Sequence, residues 1–184
     1  DFSDDYDDTN GFSSARSDDL WNAELTLTWL PSDDSMVYLT LAQGEKPGGV
    51  NTSASSNHPW MSPAFQAFTS DRLEFDAETL VNKDLGIKSS LINQRLDLRA
   101  ALFHTDRDNA HLEHWMWDGD AGLGSGYLDS SSDAKSYGVE VEADFEVTDR
   151  LRLFGSVGWL ETDVDAIEAF DLDVYDYVVK TGRE

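Results

Sequence analysis

The sequence predicts an all-β protein, an antiparallel meander of about six long strands that forms part of a transmembrane β-barrel. Three observations lead to this fold class. Several stretches alternate strictly between apolar and polar residues, which is the period of a β-strand. Short breaks between these stretches alternate with long ones. The apolar face of the strands carries no charge at its centre, whereas the opposite face is rich in carboxylates. This combination favours a barrel with lipid outside and water in its lumen.

The clearest hairpin is predicted for Ser136–Thr162, where two alternating runs flank the polar break Thr148–Arg150. Its apolar face holds Val139, Val141, Phe145 and Trp159. Its polar face carries a row of acids, namely Glu140, Glu142, Asp144 and Glu146. Neighbouring acids on one strand face lie ~6.6 Å apart, within the range of glycosidase pairs. We interpret them instead as hydrated lumen groups, partly paired with Arg99 or Arg152.

Four further strands precede this hairpin: Leu20–Leu30, Met36–Gly44, Glu78–Leu91 and Arg95–Asp106. In the first, Trp21 and Trp29 share a face and are eight residues apart. That separation spans ~26 Å along a strand, or ~20 Å along a membrane normal at a tilt of ~40°. This is close to the height of a lipid-facing band between two aromatic girdles. The predicted lipid-facing residues are Trp21, Leu25, Trp29, Leu96, Leu98, Val139, Val141, Phe145 and Trp159.

The connections between strands are sorted by length. Short turns are predicted at Pro31–Ser35, Ile92–Gln94 and Thr148–Arg150, and long irregular segments at Glu45–Ala77, Arg107–Asp133 and from Asp163 onward. The acidic segment Asp1–Asp19 is also predicted to be a loop. Outer-membrane barrels have short periplasmic turns and long extracellular loops, whereas a soluble sandwich has no reason to alternate them.

Composition limits the function. The 184 residues carry a net charge of −24, which disfavours nucleic acid and anionic surfaces as partners. The absence of Cys excludes disulfides and thiolate metal sites. There is no apolar run of the ~18 residues that a membrane helix needs. The opening DFSDDYDD lacks the basic and apolar regions of a secretory signal, as a mature chain or an internal piece also would.

Aromatic and imidazole side chains in the long segments are the candidate substrate-binding residues: His58, Trp60, His111, His114, Trp115 and Trp117. Rigid rings in outer loops suit the capture of sugars or aromatic chelates by stacking, although they could equally pack the loops together. The HxxH spacing of His111 and His114 would chelate a metal only in a helix, so we favour polar loop residues. No catalytic residue, metal site or cofactor is predicted, because the sequence contains no nucleophile elbow, P-loop, GxGxxG or HExxH motif.

Three stretches resemble TonB-dependent outer-membrane receptors. YLTLAQGEKPGGVN (Tyr38–Asn51) is similar to their "Y…GFKPGGFN", and ETLVNKDLGIKSSLINQRLDLRAALF (Glu78–Phe103) to their "E…YELGIKS…LDNRLRLNAALF" hairpin. SYGVEVEADFEVTDRLRLFGSVGWLETDV resembles their "GVELE…PTDRLRL…GYLDT", and the final TGRE is a weaker match to a later strand. The similarity runs from about Leu20 to Asp163.

The resemblance implies a barrel of 22 strands around a plug, in the outer membrane of a Gram-negative bacterium. Such receptors import iron-siderophore complexes, haem, cobalamin or oligosaccharides with energy from TonB. The expected partners are outer-membrane lipid, a nutrient ligand and TonB, the last through an N-terminal part absent from this sequence. Residues 1–184 are expected to be one segment of the barrel domain, without the plug.

Two other functions stay open at this point, a soluble secreted carbohydrate-binding module and a passive porin-type barrel. The soluble module, as a β-sandwich, would bury Trp21, Trp29, Leu96, Val141 and Trp159 between two sheets. A barrel segment would expose the same residues on the convex face of one curved sheet. The position of these side chains therefore separates the two architectures.

Overall fold

The computed structural model describes residues 2–7, 13–51, 63, 70–118, 123–165, 167–171 and 176–180. Their strands are β1 (Phe2–Asp7), β2 (Ser13–Asp18), β3 (Ala23–Ser32), β4 (Ser35–Lys46), β5 (Gly49–Val50), β6 (Glu74–Phe75), β7 (Glu78–Leu91), β8 (Leu96–Asp118), β9 (Leu123–Thr148), β10 (Leu151–Val164), β11 (Ile167–Asp171) and β12 (Asp176–Lys180). Six of them form one antiparallel sheet in the order β10-β9-β8-β7-β4-β3. The predicted all-β meander of six strands is confirmed.

The prediction that the long segments are irregular was wrong, because they contain further strands. β8 and β9 continue through most of Arg107–Asp133, so this segment is a long hairpin. The acidic segment Asp1–Asp19 contains the β1–β2 hairpin, and β11 pairs with β12 beyond Asp163. Within Glu45–Ala77, β4 runs on to Lys46 and β5 pairs with β6. These strands are held by backbone hydrogen bonds and lack a uniformly apolar face, so alternation does not reveal them.

The cross-strand register joins the apolar faces into one continuous band. One row of opposed residues crosses all six strands: Trp29, Val37, Ile87, Ala100, Val141 and Val157. The next row is Leu27, Leu39, Leu85, Leu102, Val139 and Trp159. Directly opposed residues in an antiparallel sheet share a face, so these rows form a single apolar surface.

This apolar surface is not the interior of a sandwich. Trp29 is 64% exposed and Trp159 is 53% exposed, while Leu96 and Val141 are only partly buried. The other sheets that the structure describes have two strands each. The prediction of the soluble-sandwich alternative, that these residues are buried between two sheets, is therefore wrong. Among the described residues, no helix is both long enough and apolar enough to cross a bilayer.

In the described strands, the apolar face carries charges only toward its loop end, where the row of Lys83 is followed by a row with Asp106, Lys135 and Asp163. Lys83, His104, Tyr137 and Glu161 are aligned across β7, β8, β9 and β10. The Lys83 ammonium lies 3.0 Å from Asp106, and the Tyr137 and Trp159 rings meet edge-on with centroids 5.8 Å apart. The register thus agrees with the expectation that the centre of this face carries no charge.

The polar face carries the ion pairs that the sequence suggested. Arg99 pairs with Glu142, which is its direct cross-strand partner. Arg152 pairs with Asp144, with Nε 2.6 Å from Oδ1. The row of acids on β9 is therefore partly neutralised by cations on its two neighbouring strands.

Two aromatic side chains on the polar face lie across glycines of the neighbouring strand. Tyr38 of β4 covers Gly86, and Phe103 of β8 covers Gly138. A Cβ at Gly86 would overlap the Tyr38 ring, and one at Gly138 would lie 2.7 Å from the Phe103 ring. Each aromatic ring thus packs where its neighbour lacks a side chain, which fixes the register between strands.

Replacing Gly86 with Ala is expected to lower the free energy of unfolding of the intact receptor by about 1–3 kcal/mol, because the new methyl group displaces the Tyr38 ring. Denaturant titration would measure it. The matched control is Gly155→Ala, since a Cβ there meets no atom within 4 Å. Truncating Tyr38 to Ala should remove most of the additional cost of Gly86→Ala. Equal effects of the two glycine variants would contradict this packing.

The β8–β9 hairpin contains two irregularities that cancel. Arg107–Ala110 on β8 faces the shorter segment Ser132–Ala134 on β9, so β8 has one extra residue there. Further along, Ala110–Leu112 faces the longer segment Asp129–Ser132, so β9 has the extra residue. Asn109 in the first bulge has a left-handed φ of 54°. Its backbone N–H donates a hydrogen bond to Asp133 Oδ1 at 3.0 Å, which stabilises this conformation. Beyond the second bulge the original register returns.

Candidate functional site

The described part of the loop region is organised by Asn51, which is 6% exposed. Its Oδ1 accepts a hydrogen bond from the Leu128 N–H at 2.8 Å, and its Nδ2 donates to the Leu128 carbonyl at 2.7 Å. The same Nδ2 donates to the Arg72 carbonyl at 2.8 Å. The Asn51 carboxamide thus both accepts from and donates to the backbone of Leu128, which is the pair of hydrogen bonds that a residue of a neighbouring strand would form. It holds the β5–β6 pair against the long hairpin.

A second attachment joins β7 to the hairpin through Glu78, which is 2% exposed. Its Oε2 accepts the His111 N–H at 2.9 Å and lies 3.2 Å from the Lys46 ammonium. Arg107 approaches Oε1 at 3.7 Å. Burial opposes ionisation of this carboxyl, but the His111 hydrogen bond and the Lys46 ion pair outweigh it. The pKa of Glu78 is therefore lowered from its ordinary value.

The depressed pKa of Glu78 predicts an acid-sensitive attachment. A carboxyl with a lower pKa when folded stabilises the fold above its ordinary pKa of 4.5, and loses that contribution as the pH falls from there through the folded pKa. Exchange of the His111 amide, corrected for its intrinsic rate, is expected to accelerate over this window in the intact receptor. Glu78→Gln removes the titrating group and should abolish that acceleration. The same pH dependence in the Gln variant would exclude Glu78 as its source.

A third attachment connects the β1–β2 hairpin to Gly48, before β5, and to Asp76, after β6. Arg16 lies 3.2 Å from Asp18 and 2.9 Å from Asp76, and the hydrogen bond with Asp18 is the main cause that raises the pKa of its guanidinium. Asp18 also accepts the Gly48 N–H at 2.9 Å. A Cβ at Gly48 would overlap the Phe75 carbonyl oxygen and lie 2.7 Å from Arg16 Nε, so glycine lets the chain pass this closely to the backbone of β6.

Beside the Asn51 attachment lies an open recess of about 540 Å³ at the loop end of the sheet. Its lining comes from β5, β6 and the tip of the long hairpin: Val50, Asn51, Phe75, Glu113, Trp115, Gly126, Tyr127 and Leu128. The Trp115 indole is 75% exposed, although it is large and apolar. A concave site of this size, with an accessible aromatic face and a few polar groups, has the form of a ligand pocket.

The candidate substrate-binding residues lie in different places relative to the recess. Trp115 lines the recess. His111 lies beside it, where its Nε2 is 2.7 Å from the Asp76 carbonyl and its ring meets Phe75 edge-on at 5.0 Å. Trp117 lies near the end of β8, and its indole is not among the described side chains. His58 and Trp60 lie outside the described residues.

His114 is not part of the recess lining. Its ring stacks on Tyr127 with centroids 5.4 Å apart, and Tyr127 is 3% exposed. His111 and His114 lie in a strand, where residues three apart point to opposite faces, so the helical geometry that an HxxH chelate needs is absent from this segment. Among the described residues there is no group of three or more His, Cys, Asp and Glu side chains that could hold a metal ion.

The predicted lipid-facing residues all belong to the apolar surface or its border. Leu96 opposes Phe145, Leu98 opposes Ala143, and Val139 opposes Trp159. Leu25, at 68% exposed, lies in the row that contains Lys83. Trp21 precedes β3 rather than lying within it, and its backbone N–H donates a hydrogen bond to Glu45 Oε2 at 2.9 Å.

Sequence reasoning missed Asn51, Glu78, Glu113 and Gly126. The first two stand at the ends of stretches in which a family resemblance was visible, since Asn51 closes KPGGVN and Glu78 opens the next strand. That position was the one available signal for them. Glu113 and Gly126 come together only through pairing within a segment that was predicted as a loop.

The comparisons with known proteins agree with this architecture. The family model described as "TonB dependent receptor-like, beta-barrel" matches residues 1–182. Among solved structures, the ferric yersiniabactin uptake receptor FyuA from Yersinia pestis is similar at 23% sequence identity with a TM-score of 0.57, over 84% of this chain and 21% of that one. The alcaligin outer-membrane receptor FauA from Bordetella pertussis is similar at 16% identity with a TM-score of 0.50, over 83% of this chain and 23% of that one.

Both structural likenesses concern the fold, and the chain spans less than a quarter of each receptor's length. The family match covers nearly the whole chain and identifies transport receptors rather than enzymes. The chain therefore belongs to the TonB-dependent receptor β-barrel family, whose members lie in the outer membrane of Gram-negative bacteria.

Proposed function

We propose that this chain supplies barrel wall and outer loops to a receptor that imports a ferric siderophore with energy passed on by TonB. The observation that carries the proposal is the recess with its exposed Trp115, at the end of the sheet where the long hairpin lies. A chelate with planar or ring-shaped groups would stack on the indole. Two structures of similar fold are, by their names, a ferric yersiniabactin uptake receptor and an alcaligin receptor.

The apolar surface is proposed to face lipid, with the face of Arg99 and Glu142 toward the lumen. Backbone groups at an open sheet edge in lipid would cost several kcal/mol each when unpaired. The edges at β3 and β10 have no partner strand among the described residues. We therefore propose that residues 1–184 form one segment of a barrel domain, in which further strands of the same receptor pair with both edges.

Transport and binding by the full-length receptor test the proposed function. Trp115→Ala is expected to weaken binding of the cognate ferric siderophore by about 3- to 10-fold, the loss of one stacking contact. Trp117→Ala tests the neighbouring candidate in the same way. Trp29→Phe on the apolar surface is the matched control and should leave affinity unchanged. Undiminished affinity and uptake in the Trp115 variant would remove this residue from the binding site.

A further inference from the structure

The recess brings a carboxylate and an indole together over a glycine. A Cβ built on Gly126 would lie 3.7 Å from Glu113 Oε1 and 3.8 Å from Trp115 Cε2. These are ordinary van der Waals distances, so both side chains flank the space that a larger residue at Gly126 would occupy. Glu113 is exposed, and Trp115 is 75% exposed. A ligand group placed over Gly126 would therefore touch the carboxylate and the indole at once.

Among the described residues, the lining of the recess carries charge of one sign, from Glu113. Its lining contains no Lys, Arg or His among the residues that the structure describes. Asn51 already uses its Oδ1 and Nδ2 in hydrogen bonds to backbone groups. No described residue forms an ion pair with Glu113. The Glu113 carboxylate is thus the charged group that the lining offers, and an ionised carboxylate only accepts hydrogen bonds.

Resting on the proposed function, we propose that this recess selects cargo that carries a protonated amine. The ammonium group lies over Gly126, donates to Glu113 and contacts the face of Trp115, which combines an ion pair with a cation–π contact. A trianionic ferric tris-catecholate would instead bring negative charge to the Glu113 carboxylate. Glu113 is then the residue that determines specificity for the charge of the cargo.

The test uses the full-length receptor and three ferric probes. The first is a linear ferric trihydroxamate with a free terminal amine, the second is the same complex with that amine acetylated, and the third is a ferric tris-catecholate. Quenching of Trp fluorescence, or competition against the radioactive iron complex, gives the dissociation constants. The amine complex is expected to bind about tenfold more tightly than its acetylated form, as one desolvated cation–π and ion-pair contact predicts.

The variants separate the contributions to that preference. Glu113→Gln, which keeps the shape of the side chain, should bring the affinities for the free and acetylated amine to within about twofold of each other. Gly126→Leu should weaken binding of the amine complex by filling the space between Glu113 and Trp115. Glu140→Gln, on the polar face of the sheet and outside the recess, is the control and should keep the wild-type preference.

The outcomes distinguish this inference from the proposed function. Equal affinity for the free and acetylated amine, or a preference unchanged in Glu113→Gln, would overturn the inference while leaving siderophore import intact. Tighter binding of the tris-catecholate would do the same. Failure of all three ferric complexes to bind would overturn both.

Discussion

Replacing Ala100 with Arg is expected to lower the free energy of unfolding of the intact receptor by about 2–4 kcal/mol, the cost of a cation at the bilayer midplane on a lipid-facing strand. Ala100 lies in the row between Ile87 and Val141, near the middle of the apolar surface. Denaturant titration of the receptor folded into lipid vesicles measures this energy, and the yield of folded receptor in the outer membrane should fall with it.

The matched control is the next residue along the same strand. Ala101 lies on the opposite face, between Gly86 and Glu140. Ala101→Arg places the same charge on the proposed lumen side, beside a carboxylate, and should cost no more than about 1 kcal/mol. Equal costs at the two positions, or a larger cost at Ala101, would show that the apolar surface does not face lipid.

The second large effect is expected for Asn51→Ala, which should destabilise the attachment of β5 and β6 to the hairpin by about 2–4 kcal/mol. The substitution removes the side-chain hydrogen bonds to the Leu128 N–H, the Leu128 carbonyl and the Arg72 carbonyl. Each part-buried backbone group left unpaired costs about 1–3 kcal/mol unless water replaces the bond. Hydrogen exchange of the Leu128 amide in the intact receptor would report the loosening directly.

Asn51→Asp provides a graded control for this attachment. The aspartate keeps an acceptor for the Leu128 N–H but can no longer donate to the two carbonyls, and it brings negative charge toward them. We expect Leu128 exchange to accelerate in both variants while the amides of β7 at the centre of the sheet stay protected. Unchanged Leu128 exchange in Asn51→Ala would mean that other contacts hold the segment.

The strands of the large sheet were predictable because one face is apolar and the other is not. In β7 the predicted bounds Glu78–Leu91 agree with the structure, since the alternation lasts for the whole strand. The absence of charge from the centre of the apolar face was also visible in the sequence alone. The pairings of Arg99 and Arg152 with the acids of β9 also followed from which face each residue occupies.

The recess could not be predicted in the same way. Val50 and Phe75 reach Trp115 through contacts between residues far apart in the chain, such as the bonds of Asn51 to Leu128, 77 residues away. A local pattern carries no information about such a contact. The tip of β8 and β9 also alternates poorly, so Glu113 and Gly126 were not recognised as neighbours of Trp115. The search for rings in the long segments singled out Trp115, which lines the recess, but it also selected His114, which packs on Tyr127 instead.

The paired bulges of the β8–β9 hairpin have a consequence for how such a receptor can diversify. One surplus residue on each strand has already been absorbed there without changing which residues meet at the tip. Gain or loss of a single residue at Asn109 or its counterpart on β9 is therefore a length mutation that the hairpin can accommodate locally. Descendants of this gene could vary the reach of the hairpin in small steps while Glu113 still faces the same neighbours. Cargo preference and loop length could then evolve independently of each other.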